Sequence, residues 1–213
     1  YEVTTDNGAF TVFRKLKNGL QSPVNLTIPS VRTLDKLADE VSKKLMFSKD
    51  DFLKAVSDTA TCRKYGYTPE SIAAMFIPNT YSVYWNISVD KFLDKMQKEN
   101  KKFWSFEREN KAKAMGLSPI EVITMASIVD EETANDQEKP MIAGMYYNRL
   151  KGDMPLQADP TVKFALKKFE LKRIYLNMLS FDSPYNTYKY KGLPPGPIRI
   201  PSVAGIDAVL NYV

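Results

Sequence analysis

Helix start and stop signals follow one another along most of the chain, and the clearest of them lie in residues 118–133. Ser118 is a favourable cap residue, Pro119 suits the first helical position, and Glu121 completes a capping box with Ser118. The residues that follow are largely apolar until three acidic residues, 130–132, near the end of the segment. This pattern predicts an apolar helix that carries three carboxylates at its end.

The first 47 residues have the pattern of a small αβ module. Their apolar residues predict a strand at residues 1–3, a short helix ending at Gly19, a second strand at residues 24–28 and a helix over residues 34–45. We therefore expect a strand, helix, strand, helix unit in this part of the chain.

The region after this module reads as a set of helices. Residues 48–66 form a connecting helical segment, and a cap residue with proline in the first turn at residues 68–70 announces a further helix. A long helix is predicted from residue 89 to about residue 115, where Gly116 ends it.

The last third of the chain combines helices with irregular segments. Helices are predicted over residues 140–150 and from about residues 156–161 onward, and the chain turns irregular beyond Ser180. The fold class is α+β. We expect two main parts, the module of residues 1–47 and a mainly helical region over residues 67–213, with no single sheet running through both.

The residue types that are absent exclude several kinds of chemistry. The chain has no histidine and one cysteine, Cys62, so no disulfide can close within it. Metal sites built from histidines or paired cysteines are excluded, and so are nucleophile systems that need a histidine base. Any proton transfer must use aspartate, glutamate, lysine or tyrosine, which makes carboxylates the first candidates.

The charge pattern bears on the choice of partner. The formal net charge is +5 and the sequence pI is about 9.0, which favours nucleic acid, phospholipid surfaces or acidic wall polymers. The predicted long helix interleaves acidic and basic residues, which is typical of a solvated surface and disfavours nucleic-acid binding. The chain contains no run of eighteen apolar residues, and no segment of it resembles a signal peptide.

Helical phase separates the three acidic residues at the end of the apolar helix. At about 100° per residue, Glu132 falls in line with Met125, Ile128 and Val129. Asp130 points to the opposite side, and Glu131 lies a quarter turn away. We expect Glu132 on the buried face. A carboxyl group against apolar neighbours loses hydration, which favours its protonated form and suits a general acid.

Two simpler interpretations of Glu132 stay open at this point. The acidic residues could form an exposed helix end, or Glu132 could pair with a lysine such as Lys139. A single carboxylate on an apolar face is not specific for catalysis.

Five motifs carry a resemblance to a known family. They are ASIVDEET (126–133), YNRL (147–150), MPLQADPT (154–161), YNTY (185–188) and GLPPGPI (192–198). In order and spacing they resemble the endolytic murein transglycosylases of the MltG/YceG-like family. Upstream, FIPNTY (76–81) is similar to another element of the family, and residues 1–47 are similar to its LysM-like subdomain.

The resemblance implies a function and a catalytic residue. The family's catalytic glutamate aligns with Glu132, which would protonate the glycosidic oxygen between N-acetylmuramic acid and N-acetylglucosamine and then act as a base. The implied product is a 1,6-anhydromuramoyl end, formed without metal or cofactor. Departures from the family pattern at Asp130 and Asn79 indicate that neither residue is an indispensable proton carrier.

The resemblance also implies a location at the cytoplasmic membrane and a protein longer than this chain. It implies a transmembrane helix just before Tyr1, which would place this region on the extracytoplasmic side of the cytoplasmic membrane, and a further histidine-containing segment beyond Val213. The implied partners are peptidoglycan glycan strands and proteins of cell-wall synthesis, and not nucleic acid.

Polar residues in the motifs are candidates for holding the sugar. They are Gln157, Asp159, Thr161, Tyr185, Asn186 and Tyr188. Tyrosine rings suit the apolar faces of sugars. The structural alternative is that residues 159–161 begin a helix and residues 185–188 order a loop.

One functional alternative comes from another class of protein. The chain could be a non-catalytic peptidoglycan-binding or scaffold protein in which Glu132 only accepts hydrogen bonds. Release of anhydro-muropeptides distinguishes the two.

Overall fold

A computed structural model describes all residues from 1 to 213, with ten α-helices and two β-strands. The elements are α1 (Ala9–Lys17), β1 (Val24–Ile28), α2 (Leu34–Ser42), α3 (Lys49–Ser57), α4 (Thr59–Lys64), β2 (Asn79–Val83), α5 (Val89–Phe103), α6 (Phe106–Ala114), α7 (Pro119–Glu132), α8 (Lys139–Lys151), α9 (Asp159–Leu166) and α10 (Val203–Leu210). Short 3-10 turns lie at Ile72–Met75 and Leu176–Met178. The predicted α+β class is confirmed.

The sheet consists of β1 and β2 in antiparallel register, with Leu26 opposite Tyr81. Leu26, Ile28, Tyr81 and Val83 alternate with exposed residues and face the core. Because β1 belongs to the predicted module of residues 1–47 and β2 to the predicted helical region of residues 67–213, the sheet joins the two parts, contrary to our expectation. One contiguous apolar core also spans both. The assignment of residues 1–47 as a LysM-like module stays a prediction.

Helix α7 lies at the centre of the mainly helical region. It begins at the predicted capping box of Ser118 and Glu121, and every residue from Val122 to Val129 is buried. A helix that is apolar on all sides must be surrounded, and α7 packs against α6, α8, α9 and α10. These neighbours hold the end of α7, and with it residues 130–132, in a defined position.

The N-terminal segment differs from its prediction. Residues 1–3 form no strand, because no partner strand lies beside them. Helix α1 has no buried residue, and Phe10 and Phe13 are exposed. Helix α2 ends at Ser42, three residues before the predicted end.

The predicted long helix over residues 89–115 is two helices. It breaks at Trp104, and Ser105 caps α6 by accepting a hydrogen bond from the backbone N–H of Arg108. The local cap signal of Ser105 therefore outweighs the helical periodicity around it. The predicted helix start at residues 68–70 is a turn that leads into the 3-10 turn at Ile72–Met75.

None of the helices is long and apolar enough to cross a membrane alone, although α6 and α7, bent by 80° relative to each other, meet the length and composition criteria as a pair.

Candidate functional site

An open groove of about 410 Å³ lies at the C-terminal end of α7. Its walls come from α7, from α8, from the turn that leads into α9 and from the loop at residues 185–188. The lining residues are Glu132, Thr133, Glu138, Ile142, Met145, Tyr146, Gln157, Asp159 and Tyr188. Four residues singled out from the sequence therefore share one groove: Glu132, Gln157, Asp159 and Tyr188.

Glu132 is the last residue of α7, and its side chain is exposed in the groove. The expectation that apolar neighbours shield this carboxylate is wrong. Val129 is the last buried residue of the helix, and the chain leaves the helical conformation at Thr133. Glu132 has the phase of the apolar face but lies beyond the point where the core ends.

Tyr146 is the residue that holds Glu132. Its hydroxyl donates a hydrogen bond of 2.6 Å to Oε1 of Glu132, and Oε2 makes no hydrogen bond to the protein. Burial raises the pKa of the Tyr146 phenol well above its usual value, and the bond to Glu132 raises it further. Tyr146 is therefore a neutral donor that fixes one carboxylate oxygen and leaves the other facing the groove.

Tyr146 was not among the residues singled out from the sequence. The residue immediately precedes the YNRL motif, and α8 follows α7 after a short connection, so the two helices lie side by side. These two features indicate that residues near the start of the motif lie close to Glu132. They do not identify which residue binds it, because that depends on how α7 and α8 pack.

Asp130 is turned away from the groove, as helical phase predicts, and is buried. Its carboxylate lies 2.8 Å from Nζ of Lys139, and the two side chains are 4% and 7% exposed. Both oxygens also accept hydrogen bonds from Ser202, the cap residue of α10. Asp130 thus ties α7 to the starts of α8 and α10, and Lys139 pairs with it and with Asp136 instead of with Glu132.

Glu131 is bound by two arginines. Its Oε1 lies 2.9 Å from Nε of Arg32 and 2.9 Å from Nη1 of Arg199. The carboxylate is 11% exposed and faces away from the groove that Glu132 lines. Of the three acidic residues, Glu132 alone is free of cationic partners.

Tyr188 and Asp159 form a second hydrogen-bonded pair in the groove. The phenol of Tyr188 donates to Oδ1 of Asp159 at 2.6 Å. Burial and then this bond raise the pKa of Tyr188 to about 12, so the phenol stays a neutral donor. No three acidic or cysteine side chains in the protein are grouped as a metal site requires.

Gln157 is fixed in the groove wall by its backbone. Its φ is 55°, a left-handed conformation that side chains other than glycine rarely adopt, and its N–H donates to the carbonyl of Thr187 at 3.1 Å. Its side-chain oxygen accepts a hydrogen bond from Arg149. The YNRL motif thus supplies a residue that orients Gln157.

Three other sequence candidates lie outside the groove. Thr161 is buried, and its hydroxyl lies 2.8 Å from that of Thr187. Asn186 is buried and donates to the carbonyls of Leu179 and Phe181, so both residues order the loop from inside. The ring of Tyr185 packs against that of Phe164 in a neighbouring pocket.

The chain is similar to proteins described as endolytic murein transglycosylases. It is 32% identical over 217 residues to the protein of Streptococcus pneumoniae strain R6, a match that covers 90% of this chain and 39% of that protein. The Bacillus subtilis protein is 44% identical over 95 residues, which cover 45% of this chain and 26% of that protein. The chain thus spans about two fifths of the streptococcal relative.

Its fold is similar to the 2.6 Å crystal structure of a putative yceG-like protein of Listeria monocytogenes. The TM-score is 0.75 at 30% identity, and the match covers 100% of this chain and 75% of the Listeria chain. A sequence profile of the YceG-like family matches residues 1–213. The chain that carries the groove with Glu132 and Tyr146 therefore belongs to the YceG-like family.

Proposed function

We propose that this chain is the glycan-cleaving region of an endolytic murein transglycosylase, with Glu132 acting first as an acid and then as a base. One observation carries the proposal most directly. Tyr146 holds a single oxygen of an otherwise unpaired carboxylate at the side of an open groove. The name shared by the streptococcal and Bacillus relatives supports peptidoglycan as the substrate.

In the first step, protonated Glu132 donates its proton to the glycosidic oxygen between N-acetylmuramic acid and N-acetylglucosamine. The bond from the anomeric carbon to that oxygen breaks, and the leaving sugar keeps the proton. Tyr146 donates to Oε1, which orients the carboxyl group and stabilises the negative charge that develops as the proton leaves.

In the second step, the Glu132 carboxylate removes the proton from the muramoyl 6-hydroxyl group. The 6-oxygen then bonds to the anomeric carbon and closes a 1,6-anhydro ring. Between the two steps the 2-acetamido group of the same sugar stabilises the anomeric carbon, in place of the second carboxylate that ordinary glycosidases use. Glu132 ends protonated as it began, and no water is consumed.

The groove offers groups that can hold the sugar during both steps. Tyr188 presents a ring for the apolar face of a sugar and a neutral hydroxyl bound to Asp159. Gln157 lies on the same wall and has its amide oxygen occupied by Arg149, which leaves its amide nitrogen free to donate.

We place the reaction on the extracytoplasmic side of the cytoplasmic membrane, where peptidoglycan lies, with a transmembrane helix ahead of Tyr1 in the full-length protein and cell-wall synthesis proteins as partners. Topology mapping of the full-length gene product tests this location. A cytoplasmic position of residues 1–213 would contradict it.

Digestion of purified peptidoglycan tests the reaction. We expect mass spectrometry to find new 1,6-anhydromuramoyl ends that arise from cuts at internal positions of long strands. Hydrated reducing ends would indicate a hydrolase. Binding to peptidoglycan without any new ends would favour the alternative of a non-catalytic scaffold protein.

A further inference from the structure

A second pocket has lining residues from the loop at residues 185–188 and from α9, which also contribute to the groove. It has a volume of about 160 Å³ and is lined by Arg32, Glu70, Phe164, Tyr185 and Arg199 among others. We call it the arginine pocket.

The arginine pocket and the groove share their supporting segments. Glu131 binds the two pocket arginines, and the next residue, Glu132, lines the groove. Likewise, the loop at residues 185–188 supplies Tyr185 to the pocket and Tyr188 to the groove. A branched ligand that lies in the groove therefore has the pocket within reach of its branch.

The arginines of the pocket have donors without acceptors. One carboxylate, Glu131, binds both guanidinium groups, and each guanidinium keeps at least one N–H without an acceptor. Arg32, whose side chain is 47% exposed, donates only through Nε, and both of its terminal nitrogens are unpaired. Nε of Arg199 is buried and also has no partner. A planar carboxylate fits the two unpaired terminal nitrogens of Arg32.

The remaining walls select for a small apolar group and an amine. The rings of Phe164 and Tyr185, 4.7 Å apart, form an apolar wall. The volume of about 160 Å³ is enough for small side chains such as methyl groups. Glu70 lines the same pocket and makes no ion pair, so it is available to an ammonium group.

We propose that the arginine pocket binds the carboxylate end of a short peptide with small apolar side chains. The inference that this peptide branches from the glycan strand in the groove rests on the proposed function. In that case strands that carry peptides are better substrates than strands from which the peptides have been removed.

The first test measures binding without cleavage. The Glu132→Gln protein is titrated with D-alanyl-D-alanine, which has methyl side chains and a free carboxylate, and with the C-terminal amide of the same dipeptide. We expect the acid to bind about tenfold more tightly than the amide, because charged hydrogen bonds to an arginine are lost in the amide. No binding, or equal binding of acid and amide, would overturn the proposal.

Substitutions locate the site. Arg32→Gln should bind the acid as weakly as the amide, whereas Arg63→Gln, which removes an exposed arginine that makes no hydrogen bond, should bind it like the parent. If Arg32→Gln fails to fold, the comparison of acid and amide on the Glu132→Gln protein still decides whether the carboxylate is recognised. Equal binding by a folded Arg32→Gln protein and the parent would place the dipeptide elsewhere and sink the assignment.

A cleavage assay separates this proposal from the proposed function. The parent protein should cut peptide-bearing strands faster than peptide-free strands, and Arg32→Gln should remove that difference. If the dipeptide binds at Arg32 but no strand is cut, the pocket stands and the proposed function fails. If strands are cut and the dipeptide does not bind, the pocket is wrong and the proposed function stands.

Discussion

The hydroxyl of Tyr146, buried in α8, donates a hydrogen bond of 2.6 Å to Oε1 of Glu132 at the end of α7. The bond joins two helices that pack side by side and fixes the orientation of the Glu132 carboxylate, which makes no other hydrogen bond. The following predictions concern this pair and the residues that hold the groove.

Tyr146→Phe should lower the turnover rate and change KM little. The ring stays in the core, but the charge on Glu132 loses a donor worth about 1.5 kcal/mol or more, which corresponds to a loss of roughly tenfold or more in rate. Initial rates of anhydro-end formation measure this. Tyr147→Phe is the control, because that hydroxyl donates to the carbonyl of Met115 outside the groove. Equal rates for the two variants would show that Tyr146 does not assist Glu132.

Tyr188→Phe should weaken glycan binding. It removes a neutral hydroxyl held by Asp159 in the groove, and loss of one such bond weakens affinity by roughly tenfold. The measurement is binding of peptidoglycan fragments to the Glu132→Gln protein. Tyr190→Phe is a matched control, because Tyr190 also donates at 2.6 Å to an aspartate, Asp182, outside the groove. Similar affinities of the two variants would remove Tyr188 from the binding site.

Asp130→Asn should destabilise the protein. Burial alone lowers the pKa of Lys139, but its bonds to Asp130 and Asp136 outweigh that effect and hold the pKa above its usual value. Removing the Asp130 charge leaves a buried ammonium group without its main partner, at a cost of about 3 kcal/mol. Urea unfolding measures the change. Asp136→Asn, which alters a 67% exposed partner of the same lysine, should cost far less. A loss no greater than that of Asp136→Asn would contradict a structural role for Asp130.

Stability should fall in alkaline solution. Burial raises the pKa of Tyr67 to about 12, and burial with the nearby charge of Glu99 raises that of Tyr81 to about 12. In the unfolded chain these phenols ionise near pH 10. The stability that the two neutral phenols give the folded state is therefore complete below pH 10 and is lost as the pH rises through 12. Each contributes a slope of up to about 1.4 kcal/mol per pH unit in that window. Urea unfolding between pH 8 and 12 should show a shallower decline for Tyr67→Phe, and an identical decline would contradict this origin.

Local signals predict most of the helices and β1, and long-range contacts explain why β2 was missed and why residues 1–3 form no strand. The capping box of Ser118 and Glu121 places the start of α7 correctly. Strand β2 was not predicted, because Thr80 pairs with Thr27, 53 residues earlier, and nothing near Thr80 indicates that partner. Conversely, residues 1–3 have strand-like composition but no strand beside them.

In the candidate site, too, local sequence patterns predict some features and long-range packing decides the others. Helical phase places Asp130 away from the groove correctly, but it cannot tell how far the core extends along the helix axis, so it assigns Glu132 to a buried face that ends at Val129. The motifs include residues that line the groove and residues, such as Asn186, that order its loop from inside. Both kinds are polar, and only their hydrogen-bond partners distinguish them.

The rate at which 1,6-anhydromuramoyl ends form in purified peptidoglycan tests the role of Glu132 most directly. The Glu132→Gln substitution keeps the size of the side chain and an acceptor for Tyr146 but cannot cycle a proton, so we predict a loss of roughly 100-fold or more. Glu138→Gln, which changes another carboxylate in the same groove, should stay near the parent rate. Formation of anhydro ends by a folded Glu132→Gln protein at the parent rate would contradict the assignment of Glu132 as the acid and base.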